Sequence, residues 1–292
     1  MSTSLTIGAD PELMLVDANN IPRSSLSILK GRKANPELIE KGFLMSDNVL
    51  PEFGIDPAQE EDEFVENIKT VLSILNTRIG ALSLVARPSA RFPEDELKSR
   101  EAQVFGCDPD FDAYTVQINH VAEEAAFDTF RTAGAHVHVG HPFFLGNPWG
   151  VITGVKMLDA ILGIPATVID NKLDSKERRN LYGRAGSHRI KPEYGFEYRV
   201  LSNWWVARPD ACRLVYKLTA KAVELTVSKK TDIIKTIGED TIQRVINESA
   251  TADAKKLVRG PIKDVIGDDL ARQILKMRIT LKHRDIKESW NI

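Results

Sequence analysis

The chain has 292 residues, 42% of them hydrophobic, enough to bury one large core or two modest ones. Its 39 basic and 41 acidic side chains leave a formal charge of -2, which gives no electrostatic basis for nonspecific binding to nucleic acid or an anionic membrane. No apolar stretch approaches the roughly 20 residues of a bilayer span, residues 1–4 lack the features of a secretory signal, and Cys107 and Cys212 are too few and too distant for a disulfide framework or thiolate zinc site. The expected setting is the cytoplasm, with both thiols reduced.

In chain order, Leu5 to Val16 reads as a strand with a local irregularity, because Gly8 and Pro11 oppose a regular helix. Asn19 to Pro22 supplies a turn, and Val49 to Ile55 reads as the next central strand, carrying Glu52 in an apolar setting. Phe64, Ile68, Val71, Leu72 and Leu75 recur at helical spacing behind the acidic run from Glu60 to Glu63, a charge suited to a helix N-terminus. A short strand follows at Ala81 to Ala86, then a loop-rich stretch from Arg87 to Asp112. Ala133 to Gly140 is a strand, Gly150 to Val168 a helix, Ser175 to Leu181 a second helical piece, and Phe196 to Leu201 a strand. From Pro209 the pattern turns helical: Ala211, Leu214, Val215, Leu218 and Ala222 mark one amphipathic helix with Cys212 on its buried face, and Ile242 to Ile246 and Leu270 to Leu275 mark two more. With no repeat or long linker, one α+β domain over 1–292 is expected, its sheet and site in 1–205 and a helical extension in 206–292.

Asp10 and Glu12 sit two apart, as do His136 and His138, so each pair places ligand-type side chains on one face of a strand. Hard carboxylate oxygens favour Mg²⁺ or Mn²⁺, which bridge substrate phosphates. The alternative for the acids, including Glu52, is an ordinary surface role; for the histidines it is a satisfied structural one. An amidohydrolase would carry the His pair near its first strand, and a cupin would follow it closely with a glutamate, whereas here the next is Glu177. Glu197 and Arg199 share a strand face, so the acid can meet a metal while the guanidinium meets a phosphate. Arg184 lies among, and Arg189 follows, the small residues Gly183, Ala185 and Gly186, which let backbone approach a nucleotide. Arg178 and Arg179 read as a solvated helix face, and Asp108, Asp110 and Asp112 as turn residues.

The order of these motifs resembles the carboxylate–amine ligases of the glutamine synthetase and glutamate–cysteine ligase superfamily. The resemblance is strongest to the phage-associated COOH–NH₂ ligase type 2 family and runs from Ile7 to about Trp205. It implies a curved, largely antiparallel sheet of the glutamine synthetase type, with helices packed on one face. It further implies ATP and two or more Mg²⁺ or Mn²⁺ ions as cofactors, with Asp10, Glu12, Glu52, His136 and Glu197 as metal ligands. The first acid of that pattern is usually Glu, and one more ligand is expected among Asp47, Asn48, Asp56 and Glu60. His138, Arg184, Arg189 and Arg199 would face the nucleotide, with Arg199, Arg184 and Glu52 serving catalysis. The implied reaction joins a small-molecule carboxylate to an amine through an acyl phosphate; a metal-dependent hydrolase and a nonenzymatic nucleotide-binding descendant are the competing readings. Substrates and oligomeric state are not implied, and a phage-encoded chain would work in the host cytoplasm.

Overall fold

A computed structural model describes residues 5–103, 110–119, 129–170, 173–277 and 285–292. Among them, a six-stranded antiparallel sheet runs in the order Thr6–Pro11, Ala135–Gly140, Gly195–Tyr198, Ser187–Lys191, Asp110–Asp112 and Gln117–Asn119. Successive side chains of a strand point to opposite faces. Ile7 and Ala9 therefore share a face with their neighbours Val139 and Val137, and with Phe196 and Tyr198, all buried. Each fully buried side chain of this size contributes about 1.5–3 kcal/mol relative to exposure. The same registers put Asp10 opposite His136, and Glu197 opposite both His138 and Arg189, on the other face.

The apolar face is covered by helix Pro148–Leu158, which continues through a π segment, Asp159–Gly163, into Ile164–Ile169. Phe196 meets Phe144 edge-on at 4.9 Å, and Tyr198 donates a hydrogen bond to Asp159 at 2.7 Å. The continuous helix Pro148–Ile169 has 22 residues and is long and apolar enough to cross a bilayer, so the expectation of no such stretch needs correcting. Its most apolar window is 83% buried inside the protein, where it serves as the central core helix. Helices Glu61–Arg78 and Pro209–Val227 extend the same layer, Phe64 stacking on Trp205 with ring centroids 6.0 Å apart.

The irregularity expected near Pro11 is a change of sheet. Thr6–Pro11 belongs to the large sheet, whereas Met14–Val16 pairs with Pro22–Arg23 and Ser83–Val85. Glu12 lies at the crossing and bridges to Glu52 in a third sheet, Glu37–Ile39, Gly42–Asp47 and Leu50–Ile55. Asn48 reverses the chain between Asp47 and Leu50 in the left-handed conformation that Asn tolerates, with φ 52°. The last strand stops at Tyr198 rather than Leu201, although the Arg199 amide still donates to the Ser187 carbonyl at 3.0 Å. The region expected to be loop-rich contains a short strand, Ser89–Arg91, paired with Phe130–Thr132, and a helix, Arg100–Gln103; Cys107 and Asp108 lie outside the described residues. Helices fill the C-terminal part, and one apolar core extends from Ile7 to Trp290. The α+β architecture expected from the resemblance, an antiparallel sheet with helices on one face and a helical C-terminal region, is the one observed.

Candidate active site

On the polar face, three side chains from three neighbouring strands converge. His136 Nδ1 lies 3.1 Å from Asp10 Oδ1 and 3.3 Å from Glu197 Oε1. An octahedral ion with ligands at about 2.1 Å separates adjacent ligand atoms by about 3.0 Å, so this triad fits a Mg²⁺-sized cation. Burial pushes the Asp10 carboxyl up, but His138 and His136 outweigh it and hold it well below the usual range. Burial and Asp10 likewise raise Glu197, yet Arg199, His136 and His138 leave it at about 2. His136 is held below its ordinary value by burial and by Arg199, which suits a neutral imidazole ligand. His138 is raised, because Asp10 outweighs the cost of burial; its Nε2 stands 3.2 Å from Asp10 Oδ2 and its Nδ1 pairs with the Tyr194 hydroxyl at 2.5 Å.

The second group comes from the sheet crossing. Ligand oxygens of Glu12, Asp47 and Glu52 all lie within 4.8 Å of one another. Glu12 Oε2 accepts a hydrogen bond from the Gly134 amide at 2.7 Å, fixing its carboxylate. Burial, then the charge of Asp47, pushes Glu12 up to about 8. Burial, then Asp10, Asp47 and Glu12, pushes Glu52 well above the carboxylate range, and burial also raises Asp47 against the pull of Lys33 and Arg199. Three carboxyls competing for protons this way form a donor set that a divalent cation would relieve.

Asp10 and His136 of the first group and all three acids of the second line one cavity of about 430 Å³, together with Lys33, Arg189, Lys191, Tyr194 and Arg199, while Glu197 is buried in contact with the lining residues His136 and Arg199. Around the fully buried Glu197, Lys191 Nζ lies at 3.1 Å and Arg189 Nη1 at 3.5 Å, while Arg199 Nη1 bonds its other oxygen. Arg199 also reaches Asp110 at 3.2 Å. The arrangement can hold divalent cations and present guanidinium and ammonium groups to anionic oxygens in the same space.

Of the residues singled out from sequence, Asp10, Glu12, Glu52, His136, His138, Glu197, Arg189 and Arg199 are brought together here. Asp10 and Glu12 do not serve one cluster, because the chain changes sheet between them. Arg184 is exposed and lines a separate cavity of about 370 Å³ with Asp112, Asn119 and Asn247. Among the four alternatives for a further ligand, Asp47 joins the acids, whereas Asn48 binds the Ala102 carbonyl and the Arg131 side chain, and Asp56 and Glu60 are exposed. The solvated face expected for Arg178 and Arg179 is corrected: they are 2% and 4% exposed. Asp110 is also buried and paired with Arg199 rather than serving as an exposed turn residue, while Asp112 does cap a turn, accepting from the Tyr114 amide at 2.7 Å. Lys191 was missed, although its spacing of two from Arg189 on a short strand is the same period-2 signal.

Residues 112–292, well over half of the chain, match the family described as phage phiEco32-like COOH.NH2 ligase-type 2. The chain belongs to this family. The matched segment holds His136, Glu197 and the arginines, and the fold brings Asp10, Glu12, Asp47 and Glu52 to it from outside. No curated protein matches. Among solved structures, the crystal structure of a bifunctional glutathione synthetase from Pasteurella multocida is similar at a TM-score of 0.54 and 9% identity, covering 98% of this chain and 48% of that one. A structure of apo GmaS without ligand gives a TM-score of 0.45 at 11% identity, covering 94% of this chain and 68% of that one. The likeness to the glutathione synthetase shows the fold, and this COOH.NH2 ligase-type 2 chain spans about half of that enzyme's length.

Proposed function

We propose that this member of the COOH.NH2 ligase-type 2 family is an ATP- and divalent-metal-dependent ligase that forms an amide between a small carboxylate and an amine. The observation that carries the reading is the pairing of two ligand groups, Asp10, His136, Glu197 and Glu12, Asp47, Glu52, around a cavity that also presents Arg189, Lys191 and Arg199. Divalent ions held by those groups would supply Lewis acidity toward phosphate oxygens. In the proposed reaction a substrate carboxylate oxygen attacks the γ-phosphorus of ATP, the bond to ADP breaks, and an acyl phosphate forms. The amine then displaces phosphate and loses a proton to give the amide. Arg199, Arg189 and Lys191 offset charge on the transferred group, which is the main work of a protein in phosphoryl transfer. His138, fixed between Asp10 and Tyr194, offers its imidazole to the same oxygens, and the Asp10 carboxylate, outweighing burial, favours its protonated form. Arg184 would reach the nucleotide from the neighbouring cavity, away from the transferred group.

We also propose that residues 206–292 belong to the same unit as the catalytic sheet, supported by the shared core, and that Mg²⁺ in a cytoplasmic setting supplies the ion. A screen of carboxylate and amine pairs for ADP release, with ATP and Mg²⁺, tests the reading. Amine-dependent release is expected, and it should vanish in Glu52→Gln and Glu197→Gln. Release that survives both substitutions, or metal-dependent hydrolysis that needs no ATP, would reject it.

A further inference from the structure

Glu12 stands where the chain leaves one sheet for another. Asp10 is held by its register with His136 and Met14 by its register with Val85, whereas Glu12 lies between the two strands and belongs to neither. The direction of a side chain follows from the backbone that carries it, and a carbonyl outside a ladder needs a donor from elsewhere.

Asn203 supplies that donor. It is fully buried at the start of the 3₁₀ turn Asn203–Ala207, and its Nδ2 donates to the Glu12 carbonyl at 2.8 Å and to the Arg87 carbonyl at 3.1 Å. Two carbonyl acceptors fix which end of the amide faces them, since only the NH₂ end donates twice. Among the described residues its Oδ1 has no hydrogen-bond partner. A buried acceptor left open is a cost that an apolar side chain of the same shape would avoid, so what Asn203 contributes lies in its two donors. Its neighbours hold it in place: Ser202 bridges to Gly134 and donates to Asp170 at 2.6 Å, and Trp205 Nε1 donates to the Ala135 carbonyl at 3.3 Å.

Glu12 is thereby gripped at three points. Its amide donates to the Gly134 carbonyl at 2.9 Å, its carbonyl accepts from Asn203, and its Oε2 accepts from the Gly134 amide. The carboxylate so held faces the cavity beside Asp47 and Glu52.

Resting on the ligase reading above, we propose that Asn203 is a positioning residue for the second acid group. By holding the backbone at the sheet crossing it aims Glu12 at the ion that Glu12, Asp47 and Glu52 would share, and it touches neither ion nor substrate itself.

Calorimetric titration of the full chain with Mn²⁺, without nucleotide, tests this. The unsubstituted chain is expected to take an ion at each ligand group, and the site that Glu52→Gln abolishes is the one in question. Asn203→Leu keeps the branching but removes both donors. It should weaken that site about tenfold or more, the scale on which partners that orient a ligand act, and leave the Asp10, His136 and Glu197 site within about twofold. Asn203→Ser, which keeps one shorter donor, should fall between. Val258→Ala, a fully buried change on helix Thr251–Arg259, should lower stability and leave both sites unmoved. If Asn203→Leu does not fold, as read by circular dichroism, Asn203→Ser decides by the same comparison. An unchanged affinity in the folded variant, equal weakening of both sites, the same loss in Val258→Ala, or no Mn²⁺ binding by the unsubstituted chain each overturn the proposal. Amine-dependent ADP release is read separately: its absence beside an Asn203-dependent Mn²⁺ site rejects the ligase reading alone, and its presence beside an Asn203-indifferent site rejects only the positioning role.

Discussion

Glu52→Gln separates stability from function at the acid cluster. Oxygens of Glu12, Asp47 and Glu52 lie within 4.8 Å of one another, and each ionised pair at that limit repels by about 3.5 kcal/mol at an effective dielectric of about 20. Glu52 is raised well above its ordinary value by burial and then by its acidic neighbours, so the folded chain holds a proton that the unfolded chain releases. Its stabilising share is therefore intact at low pH and lost as pH climbs through the raised value; Glu12, raised to about 8, adds the same trend between about 4.5 and about 8. At pH 4, below the ordinary glutamate value, where Glu52 is mostly protonated in the folded and the unfolded chain alike, the glutamine variant should melt within about 1 °C of the unsubstituted protein. At pH 9, without metal, it should melt several degrees higher, since a domain of this size gains about 2 °C per kcal/mol. Mn²⁺ at a hundred times its dissociation constant should add about 2.7 kcal/mol, or about 5 °C, to the unsubstituted chain and far less to the variant. Scanning calorimetry at the two pH values, with and without Mn²⁺, reads all of this. Equal Mn²⁺ shifts in the two proteins would show that these acids hold no ion, and identical melting at pH 9 would show that the carboxyls are not crowded in solution.

Asp159 is fully buried and accepts from Tyr198, Tyr114 and the Gly186 amide; burial raises it to about 7, so its contribution fades as pH rises from about 4 through 7. Urea midpoints of Asp159→Asn should therefore depend less on pH between 5 and 8 than those of the unsubstituted protein, by roughly a few kcal/mol of unfolding free energy; parallel curves would refute this. Trp290 is 2% exposed and donates to the Val206 carbonyl at 2.8 Å, so Trp290→Ala should cost about 3–5 kcal/mol in one cooperative transition. A separate early transition would instead mark the C-terminal region as an independent unit. Tyr194→Phe removes the hydroxyl that pairs with His138 and should raise the KM for ATP about fivefold, the equivalent of one hydrogen bond of about 1 kcal/mol, with the fold unchanged by circular dichroism. An unchanged KM would remove His138 from the nucleotide.

What could be read from the chain was whatever obeys a local period. His136 with His138, and Glu197 with Arg199, carry their spacing of two into a shared face, because each pair sits on or beside a strand of one sheet. The same rule could not divide Asp10 from Glu12, which line one cavity but join different groups, since a period says nothing about a chain that leaves one sheet for another between two residues. Asp47 needed tertiary knowledge: its place beside Glu12 and Glu52 depends on a hairpin turn at Asn48 and on the bridge between Glu12 and Glu52. Arg178 and Arg179 fall in a different class. The run Asp174-Ser175-Lys176-Glu177-Arg178-Arg179-Asn180 has the composition of a solvated helix, yet Ser175, Arg178 and Arg179 stand at the i, i+3, i+4 spacing of a buried stripe. Apolar stripes announce burial because the hydrophobic effect drives them inward, whereas a charged stripe goes inward only where partners, cavities or ligands make up for lost water. That compensation comes from the Val200 carbonyl, the Ser249 hydroxyl and the charges of Glu12 and Asp170, which the fold rather than the local run brings to the helix, so composition alone pointed the helix the wrong way.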